Sequence, residues 1–84
     1  MIEGEIKITS KYGLQAKSAE SFVEIASKFK AEIEILKSGQ LANAKSIISV
    51  LNLDARAGDR VTIRAEGPDE ELAYERLANL LKDE

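Results

Sequence analysis

The side chain best placed for chemistry is Ser46, immediately ahead of a short segment whose apolar residues Ile47, Val50 and Leu51 recur at helical spacing. A serine hydroxyl there accepts a hydrogen bond from a free backbone N–H one turn into the helix, a cap contributing about 1 kcal/mol. The same position suits phosphorylation, because phosphate oxygens would meet free amides and the positive end of the helix dipole without unfolding the helix. A second group, Gln15, Lys17 and Ser18, falls at the start of an earlier amphipathic segment, again a place that favours anions. Gln15 carries a carboxamide that is not nucleophilic at neutral pH. Lys17 offers a point charge to a phosphate or an acidic partner, without the bidentate fork of arginine. A third group, Glu3, Glu5, Glu32, Glu34 and Glu66, is interleaved with Lys7, Lys37 and Arg64. That mixture reads as a solvated sheet face rather than a metal site, and no metal ligands or cofactors are expected. The sequence holds no histidine and no cysteine, so the commonest neutral-pH acid–base group, the commonest metal ligand, disulfides and thiolate sites are all excluded.

Seven elements are needed to position these residues. Strands are predicted over Ile2–Thr9, Glu32–Lys37, Gln40–Asn43 and Arg60–Glu66, where apolar and charged residues alternate. Ser38-Gly39 supplies the turn between the second and third. Helices are predicted over Ala16–Phe29, with Ala19, Phe22, Val23, Ala26 and Phe29 on one face, over Ser46–Leu53, and from Pro68 or Asp69 to Leu81, with Ala73, Leu77, Leu80 and Leu81 inward. Gly67-Pro68-Asp69 is a natural helix start, and either Gly67 or Asp69 can be its cap. One apolar sheet face and three amphipathic helices imply an α+β, two-layer open-faced sandwich with an antiparallel sheet.

The 84 residues suffice for one domain, expected over 1–84, which at this length hides only about 60% of the surface its unfolded chain exposes. The 44% apolar and 32% charged composition is that of a globular protein, and the net charge of −3 argues against nucleic-acid binding. No apolar run approaches the roughly 20 residues that span a bilayer, and Met1–Glu5 lacks the basic start of a secretory signal. A cytoplasmic, membrane-free protein is expected, as a monomer or weak dimer.

Gly13-Leu14-Gln15-Ala16-Lys17-Ser18-Ala19 resembles the active-site motif of the phosphocarrier protein HPr family, Gly-Leu-His-Ala-Arg-Pro-Ala. Asn43-Ala44-Lys45-Ser46-Ile47-Ile48 is similar to that family's regulatory-serine segment, Asn-x-Lys-Ser-Ile-Met. Gly39, Gly58, and Gly67 with Asp69-Glu70 add further matches, so the resemblance spans essentially the whole chain without a gap. It implies four strands in the order 1-4-2-3 with three helices on one face.

The resemblance also implies that Gln15 stands at the family's phosphorylated histidine, Lys17 at its arginine and Ser18 at its proline. The phosphoryl relay is then closed, since a carboxamide forms no useful phospho-intermediate. The catabolite-repression HPr-like branch likewise has glutamine at this position and keeps the serine, although it keeps the arginine and proline too. By this resemblance the chain is a non-enzymatic regulator of the sugar phosphotransferase and carbon catabolite system. A serine kinase resembling HPr kinase/phosphorylase would modify Ser46, and a transcriptional regulator would dock on Lys17, Lys45, Ile47, Ile48 and Leu51. The alternative is a redesigned scaffold with this fold and no retained activity, favoured by the triple departure at Gln15, Lys17 and Ser18 and by helices rich in good helix formers.

Overall fold

A computed structural model describes residues 1–82. The order is β1 (Ile2–Lys7), α1 (Lys17–Ser27), β2 (Glu32–Lys37), β3 (Gln40–Asn43), α2 (Ile47–Leu53), β4 (Arg60–Glu66) and α3 (Glu70–Lys82). The strands form one antiparallel sheet in the order β1-β4-β2-β3, as the resemblance implies. Register follows from the alternation: Ile6 faces Val61, and Ile63 faces Ile35 on the core side. A one-residue slip would turn every one of these side chains into water. On the open side Arg64 lies between its partners Glu3 and Glu34 and pairs with both, at 3.3 and 3.2 Å. The charged strand faces are thus a paired, solvated surface.

The helices cover the other face. Phe22 of α1, Val50 and Leu53 of α2, and Leu77 and Leu81 of α3 are buried together with Ile8, Leu14, Ile35 and Ile63. Removing a side chain of this size from water contributes about 1.5–3 kcal/mol, so the apolar stripes rather than the helix ends fix where the helices lie. No helix of the described residues is long and apolar enough to cross a membrane.

Several expected boundaries shift. The first strand ends at Lys7 rather than Thr9. Ile8 is still buried, but its N–H donates to Asp59 O, and the N–H groups of Thr9 and Ser10 donate to Leu81 O, capping the last turn of α3. The first helix runs Lys17–Ser27 rather than Ala16–Phe29, because Lys28 and Phe29 close a tighter turn with N–H bonds to Ile25 O and Ala26 O. In α2 the buried pair is Val50 and Leu53; Ile47 is half-buried and Leu51 is exposed. Leu80, Val23 and Phe29 are likewise only partly buried against the core.

The third helix starts at Glu70, and the two candidate caps divide the work. The Gly67 N–H donates to the Glu70 carboxylate at 3.1 Å, half of a capping box. Asp69 instead turns away from its own helix to accept the N–H groups of Lys30 and Ala31, both at 2.9 Å. This ties the segment between α1 and β2 to the start of α3. Gly67 permits the approach: a Cβ there would lie 2.6 Å from the Ala31 Cα.

Candidate functional site

The two chemistry-bearing segments are the starts of neighbouring helices. At α2, Ser46 has extended backbone (φ −115°, ψ 116°), and its hydroxyl accepts from the Ser49 N–H at 3.4 Å. That is a long cap, which leaves the hydroxyl, half-buried, at the mouth of the helix. The Ser46 carbonyl already accepts the first helical bond, from Val50. Asn43 organises the approach by accepting the Lys45 N–H on its side chain at 2.9 Å and the Ser46 N–H on its carbonyl.

At α1 the entrance is different. Ala16, the residue before the helix, has φ 50° and ψ −118° and no side-chain cap. A non-glycine residue held there stores strain on the order of 1–3 kcal/mol. What holds it is the surrounding loop. Gly13, at φ 61°, packs so closely on the chain that a Cβ would meet Ala55 O and Arg56 Cα at 2.7 Å, and the Leu14 N–H donates to Ala55 O at 2.9 Å. Gln15 and Lys17 project into solvent and Ser18 is half-buried.

Gln15 is tethered. Its amide donates to Asp54 Oδ1 at 3.0 Å. Asp54 ends α2 in the left-handed conformation (φ 52°, ψ 45°), and its carboxylate also takes a two-bond fork from Arg56, at 3.2 and 3.2 Å. Lys37 completes the cluster, donating to Asp54 O at 2.7 Å and pairing with Asp59 at 3.1 Å. The Arg56 hydrogen bond, reinforced by that guanidinium's charge and by Gln15 and Lys37, holds the Asp54 carboxyl below its usual range. Asp59 is lowered too, by the Arg56 N–H and then by Lys37. Periodicity could not reveal this cluster, since Gln15 and Asp54 are 39 positions apart and nothing local marks either as the other's partner.

The remaining candidate residues divide between the surface and the body of the fold. Ile48 is 67% exposed and Leu51 43%, on the helix that Ser46 caps, with Ile47 packed partly against the core. Lys45 points inward, its ammonium donating to the Phe29 carbonyl at 2.7 Å. Lys17 makes no ion pair with the described residues. Among the described residues no group of three potential ligands could hold a metal ion.

Comparison with known proteins accords with this arrangement. The family described as "PTS HPr component phosphorylation site" matches residues 2–83. The HPr-like protein Crh of Halalkalibacterium halodurans is 39% identical over 84 residues, covering 100% of both chains. The crystal structure of a phosphocarrier protein HPr from Bacillus anthracis has a TM-score of 0.94 at 40% identity, over 96% of each chain. Crh from Bacillus subtilis, crystallised as a dimer with a swapped domain, has a TM-score of 0.76 at 37% identity, over 96% of this chain and 93% of its own.

Proposed function

This chain belongs to the HPr family, and on that premise we propose that it is a regulatory member of the sugar phosphotransferase and carbon catabolite system that carries phosphate on Ser46 and does not relay it through residue 15. HPr-family proteins are phosphocarriers rather than catalysts, and the relay depends on an imidazole whose nitrogen lone pair attacks phosphorus. The observation that carries the proposal is the side chain at that position: Gln15 supplies a carboxamide, and the whole sequence holds no histidine to replace it. Lys17 and Ser18 depart from the family motif as well. What persists is the serine segment, with its hydroxyl at a helix start.

In this reading a serine kinase resembling HPr kinase/phosphorylase modifies Ser46 in the cytoplasm. The phosphate stays with the helix because free amides and the dipole favour an anion there. Ile48 and Leu51 then supply the apolar contact for a transcriptional regulator, with Ile47 supporting them from behind and Lys17 offering a cation at the neighbouring helix start. Lys45 joins only by leaving the Phe29 carbonyl. Residues 1–84 act as one domain, a monomer or weak dimer, with no part in nucleic-acid or membrane binding.

Binding of the regulator tests this. The phosphorylated protein, or Ser46→Asp, is expected to bind it, and the unmodified chain and Ser46→Ala are not. A phosphorylated protein that binds no regulator would instead leave an HPr-fold scaffold without retained activity.

A further inference from the structure

Resting on the reading that residue 15 occupies the family's phosphoryl-acceptor position, we infer that Asp54 is a second barrier to phosphoryl transfer there, one that persists after an imidazole is restored. Gln15 Nε2 lies 3.0 Å from Asp54 Oδ1, so an imidazole placed at residue 15 would stand beside the same carboxylate. A phosphoryl group on that ring would bring a second anion beside the carboxylate. The same carboxylate favours the protonated imidazole, which has no lone pair to attack phosphorus.

Asp54 acts on a third group as well. Arg56 spends its fork on the Asp54 carboxylate, Nε on Oδ1 and Nη2 on Oδ2, both at 3.2 Å. That planar pair of donors is what grips a phosphate well, and here the Asp54 carboxylate occupies it. Lys37 is occupied by the Asp54 carbonyl and by Asp59. The two cations of the cluster that holds Gln15, Arg56 and Lys37, are therefore committed to neighbouring acceptors, while Lys17 makes no ion pair with the described residues. Neutralising Asp54 removes the opposing anion and releases the Arg56 guanidinium together.

The local backbone makes the substitution practicable. Asp54 sits at φ 52°, ψ 45°, where asparagine and glycine are both at ease. Asp54→Asn also keeps the side chain's shape while removing its charge.

The test uses phosphoramidate, a small anionic donor that needs no docking enzyme. The neutral imidazole nitrogen attacks phosphorus, the P–N bond of the donor breaks, and ammonia leaves carrying the proton. The parent, Gln15→His, and Gln15→His/Asp54→Asn are compared near neutral pH by phosphorus NMR. Thermal melts confirm folding, and Gln15→His/Asp54→Gly serves as a second double variant. Each double variant is expected to be labelled about tenfold faster than Gln15→His, the size of effect that a like charge a few Å away exerts in water. The imidazole of Gln15→His should also titrate at a higher pH than that of the double variants. Equal labelling rates, whether fast or undetectable in all three histidine-bearing variants, would overturn the role of Asp54 while leaving the closed relay of the parent intact. Labelling of the parent chain would instead overturn the closed relay itself.

Discussion

The starts of α1 and α2 face the same physical problem, free amides at a helix entrance, and meet it differently. α2 enters through Ser46 in relaxed, extended backbone, with a hydroxyl over the first turn. α1 enters through Ala16, at a backbone conformation that costs energy and with no side-chain cap. The strain persists because Gly13, Leu14 and the Gln15–Asp54 bond fix the loop from outside the helix. One entrance holds a half-buried hydroxyl that accepts from the first turn of its own helix. The other holds its shape through tertiary contacts and presents a carboxamide. The proposed phosphate site therefore rests on local capping geometry, whereas the shape around residue 15 rests on contacts between distant segments.

The largest expected effect tests whether α1 depends on packing rather than on its entrance. Phe22 is fully buried, so Phe22→Ala should lower stability by about 3–5 kcal/mol in denaturant melts. A loss well under 1 kcal/mol would move the anchoring of α1 to its N-terminus.

Ala16→Gly sharpens the contrast from the other side. Relief of the strained φ should outweigh the extra entropy of glycine in the unfolded chain and stabilise the protein by about 1 kcal/mol. Destabilisation would mean that the Ala16 backbone is not strained as its angles indicate. Ser46→Ala should destabilise by about 1 kcal/mol through loss of the cap. Ser46→Asp should preserve or raise stability, by about 0.3–1 kcal/mol from the dipole, an increment that added salt weakens. Identical midpoints for the three proteins would end the capping argument.

The smallest effect is a difference in pH response. The folded-state pKa of Asp54 is lowered, by Arg56 first and by Gln15 among the lesser causes. The stability from that pairing is fully present above the unfolded value, about 3.9, and is lost as pH falls through the lower folded one. The gap between the parent and Gln15→Ala should therefore close below about pH 4. The Ser46 cap has no titratable partner, so the Ser46→Ala gap should hold at the same pH. A Gln15→Ala gap unchanged in acid would remove Asp54 from the account.

These contrasts also separate what a sequence discloses from what it conceals. The alternation in Arg60–Glu66 and the spacing of Ala19, Phe22 and Ala26 are local patterns, and the sheet faces and α1 follow from them. The strand order came through resemblance, since pattern alone does not say that β4 lies between β1 and β2. Ser46 was legible because its cap bonds only three residues away. The Gln15–Asp54–Arg56 cluster, the Asp69 clamp on Lys30 and Ala31, and the Lys45 bond to Phe29 join positions far apart in the chain. They exist only once the sheet and helices have brought those positions together. In the two turns of α2, spacing alone leaves open which apolar flank faces the core, and packing buries Val50 and Leu53 while Ile48 and Leu51 stay exposed.

Intact-mass spectrometry after parallel incubations tests most directly whether phosphate belongs at the start of α2 and not at that of α1. One incubation holds the upstream phosphotransferase enzyme with phosphoenolpyruvate, and the other holds an HPr kinase/phosphorylase-type serine kinase with ATP. The predicted result is no added phosphate in the first and a single phosphate, mapped to Ser46, in the second. Phosphate acquired from phosphoenolpyruvate, or a kinase incubation that leaves Ser46 unmodified, would contradict it.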